Sequence, residues 1–162
     1  MLEYNRMAAV RYARKWALSR NPEYYDFSAL GGDCTNFASQ CIFAGARIMN
    51  YTPVFGWFYI SLNDRAPAWT GVNELFKFLT AHTGAGPIGR EVRLSDIAEG
   101  DIVQVKFKGG DTFAHSPVVV DRGMGTPDTV LIAAHTNDAL DRPLASYAYA
   151  ELRPIHILGV NG

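Results

Sequence analysis

The chain predicts an α+β fold, with helices in the first half and an antiparallel sheet in the second. Apolar residues recur at a helical period up to about residue 81, and after residue 90 the period falls to 2. The later strands follow one another through turn signals such as Lys108-Gly109-Gly110-Asp111 rather than through helices, so neighbours pair antiparallel. The 162 residues suit one domain with its own core, and no repeat or internal linker divides them.

The first helix is expected over residues 4–20. Ala9, Tyr12, Ala13, Trp16 and Ala17 fall at helical spacing, and Asn21-Pro22 ends the run. Residues 23–32 form a loop holding Tyr24, Tyr25 and Phe27. The second helix runs from Cys34 to about Ala44, with Asp33 as its N-cap and Phe37, Cys41 and Ala44 as a buried stripe. Residues 50–69 are irregular and aromatic. A third helix is expected over 71–81, with Thr70 as cap and Val72, Leu75, Phe76 and Leu79 as its apolar face. Gly84, Gly86, Pro87 and Gly89 then break the chain. Strands are expected over Ile102–Phe107, Phe113–Asp121, Val130–Asn137 and Pro154–Val160.

Composition removes several function classes. The apolar fraction is 48%, the charged fraction 19% and the net charge −1, which gives no electrostatic case for binding nucleic acid or an anionic membrane. No apolar run approaches the ~18 residues of a membrane span, so membrane insertion is not expected. Met1-Leu2-Glu3-Tyr4-Asn5-Arg6 carries no apolar signal region. The expected compartment is therefore the cytosol for a full-length chain, or the cell envelope or exterior for a piece of an exported protein. A monomer is expected. Neither a CxxC nor an HExxH pattern occurs, so neither metal nor cofactor is expected. Cys34 and Cys41 would lie ~10 Å apart along one helix, beyond the ~7 Å a disulfide allows, and Cys41 reads as a core thiol.

The chemically loaded stretch is Gly31-Gly32-Asp33-Cys34-Thr35-Asn36. A loop stops at a helix mouth and sets a thiol in the first turn, where the helix dipole favours thiolate. A nucleophilic Cys34 needs a base held by a third group. Strand alternation puts His115 on one face of its strand, and His135 and Asn137 on one face of the next. A hairpin symmetric about Gly125 sets His115 opposite His135; a shift of two sets it opposite Asn137. Asp138 falls on the other face. The expected triad is Cys34, His115 and either His135 or Asn137. The backbone N–H of Cys34 would receive the oxyanion, with Asp33 and Asn36 supporting the site.

The runs Tyr4-Asn5-Arg6, Trp16-Ala17, Arg20-Asn21-Pro22, Gly31 to Phe37, Ser39-Gln40, His115-Ser116 and His135-Thr136-Asn137-Asp138 resemble the bacterial putative amidase domain family. That family is similar to the NlpC-type cell-wall peptidases and the CHAP amidases, which are papain-like. The resemblance implies a papain-like fold, Cys34 as nucleophile, His115 as base and His135 as orienting residue. CHAP relatives often use Asn or Glu in the third place, which keeps Asn137 in view. Asn36 departs from the glycine usual there, so the cleft floor is expected to differ. The implied activity is cleavage of an amide in a peptide or peptidoglycan fragment. A transacylase or deamidase using the same site and a non-catalytic wall-binding module are the alternatives. Trp57, Phe58, Tyr59 and Trp69 have two readings, core or a sugar-binding groove, and Arg65 could bind a substrate carboxylate or be a surface-loop arginine.

Overall fold

A computed structural model describes all 162 residues. The first helix, α1, covers Arg6–Trp16, shorter at both ends than the periodicity implies; the Asn5 side chain accepts a hydrogen bond from the Ala8 N–H and fixes its start. The second, α2, covers Cys34–Ala46 and ends where Arg47 turns left-handed at φ 62°. Thr35 to Ile42 are buried without a break, so α2 is a central helix rather than an amphipathic one; Ala44 is only half-buried. Gly45 lies inside this helix. A Cβ there would come within 2.6 Å of the Asn5 carbonyl and the Tyr4 ring, so the glycine lets the start of α1 rest on α2.

The aromatic segment is more ordered than its sequence indicates. It forms a small hairpin, β1 (Tyr59–Ser61) with β2 (Asp64–Arg65), then a short helix α3 (Pro67–Thr70). The following helix α4, Val72–Ala81, has Gly71 rather than Thr70 at its N-cap. The glycine-proline run read as a break is a strand, β3 (Gly86–Glu91), which is tolerated because it lies at the sheet edge.

Five further strands complete the sheet: β4 (Ile102–Phe107), β5 (Val118–Asp121), β6 (Leu131–Ala134), β7 (Ala139–Pro143) and β8 (Tyr149–Asn161). Their order is β3-β8-β4-β5-β6-β7, with every neighbouring pair antiparallel. One face packs on the helices through Phe37, Cys41, Trp57, Trp69, Leu75 and Leu79. The other face holds a smaller core of Ile97, Val103, Val119, Ile132, Leu144 and Tyr147.

Two departures decide the site. Residues 113–117 belong to no strand; only a single bridge ties His115 to Val105 of β4. Between β5 and β6, Val118 faces Ala133 and Val119 faces Ile132, one residue away from a fold symmetric about Gly125. This register lies between the two that were expected, and an irregularity between Val119 and Asp121 absorbs the offset. β6 then stops at Ala134. Residues 135–138 turn the chain into β7, with Thr136 at φ 63° and Asn137 at φ 58°. Consecutive left-handed residues suit the right-handed twist of a tight hairpin.

Candidate active site

Cys34 is the first residue of α2, and its thiol is partly exposed. Sγ lies 3.6 Å from the Thr35 hydroxyl and 4.0 Å from the carbonyl of Ala114, the residue before His115. Helix α2 and the His115 segment therefore face each other across the thiol. Behind it, the Thr35 and Ser116 hydroxyls meet at 3.1 Å, and the Gln104 amide donates to Ser116 at 3.2 Å. Burial pushes the Cys34 thiol up; the Thr35 hydroxyl and the backbone N–H groups of Ser116 and Thr35 oppose it. The thiol is thus neutral at rest, and the helix dipole does not by itself produce thiolate.

His115 is 5% exposed. Its Nε2 lies 3.2 Å from the Tyr147 hydroxyl, and the two rings meet edge-on with centroids 5.3 Å apart. Burial, and then the Arg142 charge, hold the imidazole down to about 4. Burial also pushes the Tyr147 phenol up, with Arg142 opposing and Cys34 reinforcing. A neutral thiol therefore lies against the segment whose neutral imidazole meets a neutral phenol. Tyr147 was not foreseen from the sequence. It lies in the short link between β7 and β8, and only the sheet order brings that link to His115.

His135 does not orient His115. Its Nδ1 lies 2.5 Å from Asp33 Oδ2, its Nε2 lies 2.7 Å from the Trp16 carbonyl, and its ring stacks on Phe37 at 4.0 Å. Both nitrogens are committed elsewhere because the strand ended early and the register moved by one residue. Asp33 holds the N-cap position but does not cap with its side chain. Its carboxylate instead accepts from the Phe27 N–H at 2.8 Å and the Asn36 amide at 2.9 Å, besides meeting His135. The Asp33 N–H donates to the Thr136 hydroxyl at 3.1 Å, and Arg20 grips Asp138 with two bonds at 2.8 and 3.0 Å. The segment His135 to Asp138 is therefore a latch on the loop leading into Cys34. Asn137 is exposed at its turn.

A family model described as "Putative amidase domain" matches residues 3–158. The chain belongs to the putative amidase domain family. Membership points to hydrolysis of an amide. This amidase-domain chain is also 31% identical over 139 residues to "Uncharacterized protein YhbB" of Bacillus subtilis (strain 168). That alignment covers 85% of the chain and 43% of the relative, so the chain spans less than half of the relative's length. No solved structure matches.

Of the other expected site residues of the amidase domain, Asn36, Trp57 and Trp69 are buried, and Tyr59 and Arg65 are half-buried. Asn36 donates to the Tyr25 carbonyl and to Asp33, and accepts from Trp69 Nε1 at 3.0 Å. Trp57 and Trp69 have no exposed surface; Trp57 Nε1 donates to Ser39, whose hydroxyl donates to the Trp69 carbonyl. They are core and present no surface to a sugar. Tyr59 packs on Tyr24 and Trp69 and accepts from the Tyr25 N–H at 2.8 Å. Arg65 lies over the Phe27 ring and donates to Thr70 and the Leu62 carbonyl, which braces the β1–β2 turn. No group of three or more His, Cys, Asp and Glu side chains is gathered to hold a metal ion. A groove of about 340 Å³ lies between α4 and the Val54–Phe55 loop, and it shares no lining residue with Cys34, His115 or Tyr147.

Proposed function

We propose that the protein is a cysteine-dependent amidohydrolase of papain-like arrangement, cleaving a peptide amide, as in a peptidoglycan stem peptide, through an acyl-thioester on Cys34. The carrying observation is that a partly exposed thiol in the first turn of α2 lies against the segment bearing a buried histidine, whose Nε2 meets a tyrosine hydroxyl. A helix carrying the cysteine, and a histidine segment bridged to strand β4 of an antiparallel sheet, support the papain-like arrangement.

In the productive tautomer the proton sits on Nε2 and is donated to the Tyr147 oxygen. Nδ1 keeps the lone pair. His115 takes the Cys34 proton as sulfur attacks the substrate carbonyl carbon, and the C=O pair moves onto oxygen. The first N–H groups of α2 have no partner within the helix and face the growing negative charge. The imidazolium then gives its proton to the leaving nitrogen, and the C–N bond breaks. Water, deprotonated by His115, attacks the thioester. The carboxylic acid leaves, and the proton returns to sulfur. As the thiol loses its proton, the adjacent thiolate favours the imidazolium, which raises the basicity of His115 when it is needed.

Cys34→Ala tests this reading on purified peptidoglycan fragments: the wild type releases new amine termini and the variant releases none. Equal release by both proteins contradicts it.

A further inference from the structure

We propose that Arg142 is the substrate-selecting residue of this site, and that it binds a free carboxylate on the residue adjoining the scissile amide. The proposal rests on the cysteine amidohydrolase reading for the location of the scissile bond.

Arginines at this end of the sheet are mostly spoken for by carboxylates. Arg14 pairs with Asp141 at 3.1 Å, and Arg20 is shared among Asp26, Asp33 and Asp138. Arg142 is different. Its sequence neighbour Asp141 is turned to Arg14, and no carboxylate lies within 4.0 Å of the Arg142 guanidinium. The side chain is nevertheless fixed. Its Nε donates to the Ser146 hydroxyl at 2.7 Å and its Nη2 to the Ser146 carbonyl at 3.2 Å. Its guanidinium carbon stands 3.7 Å from the centroid of the Tyr147 ring.

Tyr147 is the ring whose hydroxyl meets His115. A held, half-buried, unpaired cation thus lies one aromatic ring away from the proposed base. Its charge reaches both His115 and Tyr147. Besides its approach to the Tyr147 hydroxyl, the guanidinium bonds only Ser146, through Nε and Nη2, so one edge of the fork remains to donate. A stacked guanidinium with its rotamers already fixed loses little entropy on taking up an anion. A carboxylate is the matching acceptor, because a planar donor fork fits planar acceptors. Positive charge beside a buried base also opposes formation of the imidazolium, which a substrate carboxylate seated on Arg142 would offset. The preferred substrate is then an amide flanked by an acidic residue, with binding and base strength linked through one contact.

Titration calorimetry on the Cys34→Ala protein reads binding apart from turnover. The probes are acetyl-Ala-Glu and its neutral counterpart acetyl-Ala-Gln-amide. The acidic peptide is expected to bind about tenfold more tightly, with the preference shrinking as salt is raised from 20 to about 300 mM. Arg142→Gln should abolish the preference, and Arg142→Lys should keep part of it. Equal affinity for the two peptides, no binding of either, or a preference that survives Arg142→Gln overturns the proposal. Should Arg142→Gln fail to fold, the salt dependence and the Lys variant still decide it. Hydrolysis of the acidic peptide by the Cys34-intact protein is scored separately. Binding without hydrolysis would contradict the cysteine amidohydrolase reading while leaving the carboxylate site standing.

Discussion

The three neutral groups around the thiol carry distinct consequences when altered singly. Tyr147→Phe removes one hydrogen bond to His115 and leaves the packing of the ring, so kcat should fall roughly tenfold with little change in KM or melting temperature. Steady-state kinetics on a peptide substrate checks this; an unchanged kcat would remove Tyr147 from the site. His135→Ala behaves in the opposite way. It strips a partner from buried Asp33 and from the Trp16 carbonyl, and should cost about 3 kcal/mol of stability in urea unfolding. Its kcat per folded molecule should drop less than that of Tyr147→Phe. A proton-poor His115, held down to about 4, sets the acid limb of kcat/KM near that pH and not near the ordinary ~6.5. A pH–rate profile reads it directly.

At the level of elements, the outcome turns on one hairpin. The nucleophile end of the site was legible because a helix start is a local signal: Gly31, Gly32 and Asp33 precede a buried helix that begins at Cys34. His115 was legible as a residue leading into the sheet, although its strand starts only at Val118 and a single bridge ties His115 to β4. The third member was not, because it depended on where β6 stops and on a one-residue register offset, neither of which period-2 alternation encodes. The missed strand β7 is what returns the chain to supply Tyr147. The turn itself makes a testable claim. Asn137 sits exposed at φ 58°, so Asn137→Gly should leave stability within about 1 kcal/mol and kcat unchanged, whereas Asn137→Val should destabilise by about 1–2 kcal/mol. Thermal melts of both variants, with activity measured beside them, test whether this residue belongs to the turn alone.

Across the whole molecule, the order of helices and antiparallel sheet followed from periodicity. The glycine-proline edge strand β3 and the β1–β2 hairpin did not, because tertiary pairing overrode weak local preference. Burial of His115 links the site to global stability. Between about pH 6.5 and 4 the unfolded chain binds a proton at this residue that the folded chain refuses, so stability declines as pH falls through that window. The full loss is roughly 3 kcal/mol, and His115→Gln should flatten that part of the pH–stability curve. The central claim is that Cys34 is a nucleophile served by His115, and the most direct measurement is the rate of iodoacetamide modification of each thiol by peptide mass mapping. Cys34 should be modified while Cys41, which has no exposed surface, is not, and His115→Ala should slow the Cys34 reaction by about tenfold or more. Equal, slow modification of both cysteines, or a Cys34 rate indifferent to His115, would contradict it.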